Sequence, residues 1–140
     1  MFLDKSLLIT MKNNDIIKIL TYWDDLSQVI INYSMLIIVI LYLLFDKYNK
    51  ISDIYIVIGL FVFQILLCLL VNCEGISVIW NALTSYIFMR HLRNNSFTIK
   101  KDILFIIIPA FFVNLYYIND LNATIAHIIS IILGIIIEIY

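Results

Sequence analysis

Five long apolar runs joined by short polar connections leave this chain few ways to fold. They lie at about 28–45, 54–72, 76–92, 103–118 and 122–140. A helix needs about 20 apolar residues to cross the hydrocarbon core of a bilayer. The runs are rich in isoleucine and valine, yet they lack polar alternation and are too long for ordinary strands. In lipid each backbone N–H and C=O must be paired within the protein, so such runs become helices. With 64% hydrophobic residues against about half in a soluble domain, no soluble module fits beside them. The expected fold is an all-α membrane protein, one domain over 1–140, a polytopic bundle of about five transmembrane helices. The third and fourth runs are shorter and more polar, which suits packing inside the bundle.

Residues 1–27 hold no run of spanning length. Leu7, Leu8, Met11, Ile16, Ile17, Ile19 and Leu20 suit an interfacial helix in the headgroup plane, with Tyr22 and Trp23 at the boundary. The formal net charge is −1 with dispersed basic residues, so nothing argues for a nucleic-acid partner. Cys68 and Cys73 are expected to be buried free thiols. No His/Cys clustering suggests a metal, and no cofactor is implied.

The connections set an orientation. Lys47 and Lys50 follow the first run, and Arg90, Arg93, Lys100 and Lys101 follow the third. The connections around Glu74 and Asp120 carry no lysine or arginine. The positive-inside rule then puts loops 46–53 and 90–102 in the cytoplasm of a multi-pass integral membrane protein. Runs one, three and five therefore start from the outer face.

That direction gathers polar side chains. Gln28 and Asn32 open run one, Ser77 opens run three and His127 follows the start of run five, each within roughly 10 Å of the outer surface. An ionisable group inside a span is costly, so His127 is a functional candidate. His91, by contrast, belongs to the basic loop. A histidine within hydrogen-bond reach can take the proton of a serine hydroxyl and make it a nucleophile. Gln28 and Asn32, four residues apart, can share one face and aim amide N–H groups at a developing oxyanion. The Ser77 backbone N–H, in the first turn of its helix, is a third donor. Gly75 permits a tight turn and close approach of a substrate backbone. Taken singly, Ser77 also fits a hydroxyl bonding to its own helix, Asn32 interhelical glue, and His127 a structural hydrogen bond or a haem ligand.

Together these residues resemble the rhomboid family of intramembrane serine proteases over about residues 16–140. Gly75-Ile76-Ser77-Val78 resembles that family's G-x-S-G motif, with valine for the second glycine, and ALTSYIFMR from Ala82 resembles the continuation of its serine helix. The last-helix pattern A-H-x-x-G-x-x-x-G is met by Ala126, His127, Ser130 and Gly134, with serine for the first glycine. Gln28 and Asn32 correspond to its H-x-x-x-N motif, with glutamine for the histidine. Pro109, Phe111 and Phe112 resemble the gating helix, where proline would remove a hydrogen bond and bend the run. Asn81 stands where an aromatic often stacks on the family's histidine, and Trp80 beside it is expected to point elsewhere.

The resemblance implies a rhomboid-like fold and a serine endopeptidase that cleaves transmembrane protein substrates near the outer face. Ser77 would be nucleophile and His127 general base, with Gln28, Asn32 and Ser77 at the oxyanion, Gly75 in the motif and no metal or cofactor. The family's first helix has no counterpart, which places Lys5, Lys12 and Lys18 outside and leaves room for a partner supplying a helix. The other reading is an inactive rhomboid-like protein that binds membrane clients. Helix packing is expected to rest on Gly59, Ala82, Ser85, Ala110, Ala126, Ser130 and Gly134.

Overall fold

The computed structural model describes residues 26–71, 75–95 and 106–140. Five α-helices make up the fold: α1 (Leu26–Phe45), α2 (Ser52–Val71), α3 (Ser77–Arg93), α4 (Ile108–Tyr116) and α5 (Leu121–Ile139). There is no strand among the described residues. The proposed interfacial segment 1–27 lies outside them except for its last two residues, which begin α1.

Three helices, α1, α2 and α5, are long and apolar enough to cross a membrane. Their outward faces are apolar. On α2, Ile58, Val62, Leu66 and Leu70 recur every fourth residue and are all exposed. Side chains four apart lie on one face of a helix, so this is a continuous apolar stripe. On α5, Ile128, Ile132 and Ile136 repeat the pattern. The inside of the fold holds the polar groups instead: Asn32, Gln64, Ser77, Asn81, Arg90, His127 and Ser130 are buried. Apolar outside and hydrogen-bonded polar groups inside is the distribution that lipid favours.

The serine helix is the hub. α3 is less apolar than α1, α2 or α5, yet it buries every residue from Ser77 to Ile87. It packs most closely against α5 and also meets α1 and α2. The core around it includes Met35, Leu36 and Val39 of α1, Leu60 of α2, and Ile79, Trp80, Leu83 and Ile87 of α3 itself. Buried residues of α5 fall at Ala126, Ser130, Gly134 and Glu138, one every fourth position, and His127 joins that face. At Gly134 the two helices touch so closely that a Cβ would lie 2.0 Å from the Ala82 carbonyl oxygen.

Several expectations change. α4 is not enclosed by the bundle: Ala110 faces the core, but Phe111, Phe112 and Tyr116 are exposed. Pro109 falls in the first turn of α4, behind a wider π-type turn at 106–107. Ile107 is itself helical, so the proline stands where the wider turn passes into the α-helix; the residues whose carbonyls a bend would free lie outside the described residues. Gly59 takes no part in packing, because no atom lies within 4 Å of where its Cβ would be. Cys68 is not a free thiol but is disulfide-bonded. The chain's other cysteine, Cys73, lies outside the described residues.

Candidate active site

Gly75 has φ 90°, the left-handed region that glycine enters without steric cost. The chain reverses there, passes Ile76 and starts α3 at Ser77. Ser77 is therefore the first helical residue, whose N–H has no acceptor in its own helix. α5 starts from the neighbouring connection, where the Asp120 carboxylate accepts from the Ala123 N–H at 3.0 Å and caps the helix. His127 sits almost two turns down, on the stripe that faces α3. Gly134 brings the two helices together below it.

The two side chains meet. Ser77 Oγ lies 2.8 Å from His127 Nε2, and both residues are buried. With the proton of the ring on Nδ1, Nε2 accepts from the serine hydroxyl. Ser130 Oγ donates back to the His127 carbonyl at 2.8 Å, which satisfies a buried polar group without leaving the helix. Two aromatic rings hold the imidazole. Tyr117 packs edge-on at 5.9 Å between centroids, and Trp80 is tilted against it at 6.2 Å. Trp80 thus does not point elsewhere: three residues on from Ser77, it shares that residue's side of the helix.

Asn32 belongs to this cluster one step removed. Its Oδ1 accepts from Trp80 Nε1 at 3.0 Å and its Nδ2 donates to the Tyr117 hydroxyl at 3.2 Å. Its amide is thereby committed to the two rings that flank His127. Gln28 is half-buried one turn earlier on α1. The site thus joins Ser77 and His127 directly, Asn32 through Trp80 and Tyr117, and Gly75 through the turn.

A lateral cavity of about 430 Å³ opens beside His127, between α3, α4 and α5. Its walls are mostly apolar, including Ala110, Phe111, Leu115 and Ile131. Its polar lining includes Asn81 and Asn114. Asn81 Nδ2 donates to the Ser77 carbonyl at 3.0 Å, and Asn114 Nδ2 donates to Asn81 Oδ1 at 2.8 Å. The Asn114 Oδ1 is buried and has no partner among the described residues. Neither asparagine stands out in the sequence as a site residue. The depth of Asn81, one turn past Ser77, was the available signal.

The opposite end of the bundle holds a second polar cluster. Arg90, 0% exposed, makes a bidentate pair with Asp53 at 2.7 and 2.9 Å and reaches Glu138 at 3.4 Å. Tyr86 donates to Asp53 at 2.6 Å and accepts from Arg90. His91 is buried and lies 3.2 Å from Asp46, while Arg93 pairs with Glu138. Residues 90–93 therefore end α3 and are not part of a basic loop, and Asp53 belongs to α2. Asp53, Arg90 and Glu138 stand at matching ends of their runs, so the depth argument that gathered Ser77 and His127 applies to them too. The described residues include no His/Cys/Asp/Glu group able to hold a metal ion. Comparison with protein-family models, curated proteins and solved structures returns no match.

Proposed function

We propose that this chain is an intramembrane serine endopeptidase of rhomboid type, acting on transmembrane proteins through a Ser77–His127 dyad. The observation that carries the reading is the 2.8 Å contact between Ser77 Oγ and His127 Nε2 inside an apolar bundle. A buried serine needs only one hydrogen bond for its own satisfaction. Directing it to an imidazole, across two helices that start at the same end, gives the serine a base.

The chemistry follows from these atoms. Ser77 Oγ attacks the scissile carbonyl carbon while its proton passes to His127 Nε2. The Ser77 N–H faces the oxygen that gains charge. The tetrahedral adduct collapses, His127 returns the proton to the leaving amine, and an acyl-serine remains. Water then repeats the sequence and frees Ser77. Trp80 and Tyr117 keep the imidazole in place, and Asn32 keeps Trp80 and Tyr117 in place. The cavity beside His127 receives substrate side chains from the lipid side, over the exposed edge of α4.

The multi-pass topology belongs to the same reading. Lys47 and Lys50 lie between α1 and α2, at the end of the bundle where Arg90 and Arg93 close α3, and the positive-inside rule makes that end cytoplasmic. Ser77 then lies near the outer face, and a disulfide at Cys68 suits an oxidising outer compartment. One feature favours the second reading, a non-catalytic client-binding protein: the Asn32 amide is held by Trp80 and Tyr117 rather than aimed at the serine. The two readings part in liposomes carrying the protein and a panel of single-span substrates. The protease reading expects fragments cut in the outer half of the span, lost in Ser77→Ala. Intact clients that co-purify equally with wild type and Ser77→Ala would instead establish the binding reading.

A further inference from the structure

Gln64 is the one amide in the apolar core of α2, and it is 0% exposed. Nothing in the dyad requires it. Burying an amide is costly unless it is hydrogen-bonded, so where its bonds go is informative. Its Nε2 donates to the Gly75 carbonyl and lies 3.0 Å from the sulfur of the disulfide-bonded Cys68. Its Oε1 is buried without a partner among the described residues. Gln64 therefore spends its donors on the turn before α3 and on Cys68 of its own helix, while its acceptor has no partner among the described residues. Packing alone would be served better by leucine or methionine.

Gly75 stands two residues before Ser77, in a positive-φ conformation that glycine does not hold by itself. An anchor on its carbonyl fixes the peptide plane from which α3 starts, and hence the height and rotation of Ser77 against His127. We infer that Gln64 is a positioning residue for the nucleophile turn, and that the Cys68 disulfide acts on Ser77 through it. This rests on the hydrolase reading. It adds a redox-sensitive link, because a thiol at Cys68 and a disulfide sulfur present different neighbours to the same amide.

The test uses the full chain in nanodiscs, with Gln64→Met as a near-isosteric variant, Cys68→Ala, the double variant, and Leu67→Ala as a buried α2 control. Two quantities are read: the fluorophosphonate labelling rate of Ser77, and hydrogen–deuterium exchange across residues 75–79. The inference expects Gln64→Met to label about tenfold more slowly, the size of a mispositioned nucleophile, with faster exchange confined to 75–79. Leu67→Ala should lower thermal stability yet label within about threefold of wild type, since it leaves the turn anchored. The double variant should label no more slowly than the slower single variant, because the two act through one amide. Unchanged exchange at 75–79 in Gln64→Met, or losses that multiply in the double variant, would overturn it. If Gln64→Met does not fold, Gln64→Asn, too short to reach Gly75, takes its place with the same expectations. Wild type that exchanges as expected but never labels would sink the hydrolase reading, while the exchange data alone would still decide whether Gln64 anchors the turn.

Discussion

Replacing Gly134 by alanine adds one methyl group where α3 and α5 touch. That carbon would sit 2.0 Å from the Ala82 carbonyl oxygen and 2.1 Å from Ser85 Oγ. Ser85 can turn away, but the carbonyl is helix backbone and cannot. Restoring the 3.4 Å of ordinary contact requires the helices to part by about 1.4 Å. Overpacking of this kind costs about 1–3 kcal/mol, and a backbone clash belongs at the upper end. The same displacement acts on the dyad, because Ser77 and His127 ride on these two helices. A 2.8 Å hydrogen bond lengthened by that amount lies near about 4 Å, past the limit of a useful bond. General-base assistance is worth about a hundredfold or more, so a loss of at least about tenfold in fluorophosphonate labelling is expected. Thermal unfolding in detergent should fall in parallel. Gly134→Leu should be worse on both counts. An alanine variant with wild-type melting temperature and labelling would refute the close packing and the coupling argued from it.

Two other perturbations separate parts of the molecule. Ala110→Phe should fill much of the cavity of about 430 Å³; cleavage of a transmembrane substrate should fall about tenfold while a small fluorophosphonate still labels at near wild-type rate, as steady-state and single-turnover assays would show. Asp53→Ala removes the main partner of a buried guanidinium, so chemical denaturation should report a loss of about 3–5 kcal/mol, and a loss under about 0.5 kcal/mol would contradict the burial of Arg90.

The helices were legible because bilayer thickness leaves little choice of length. The runs at 28–45, 54–72, 76–92 and 122–140 meet helices at Leu26–Phe45, Ser52–Val71, Ser77–Arg93 and Leu121–Ile139 within two residues at each end. Of the run at 103–118, residues 106–107 form a π-type turn and Ile108–Tyr116 an α-helix, while residues 96–105 lie outside the described set. The direction and spacing of the runs put Ser77 and His127 at the same end of their helices, and the structure places Ser77 Oγ 2.8 Å from His127 Nε2. Side-chain partners were not readable in the same way. Nothing in the spacing of Asn32 says that its amide goes to Trp80 and Tyr117, because several acceptors stand at that depth. Trp80 was misjudged by adjacency, although its three-residue spacing from Ser77 already put both on one face. Arg90 looked like a loop charge because its acidic partners are 37 and 48 residues away in the chain.

The central claim is that Ser77 is an activated nucleophile. The direct measurement is to treat wild-type protein, Ser77→Ala and His127→Ala in nanodiscs with a fluorophosphonate and to map the label by mass spectrometry. The expected result is a single adduct on Ser77 of the wild type, absent from both variants. A folded wild type without label, or a Ser77 adduct that persists at full rate in His127→Ala, would contradict it.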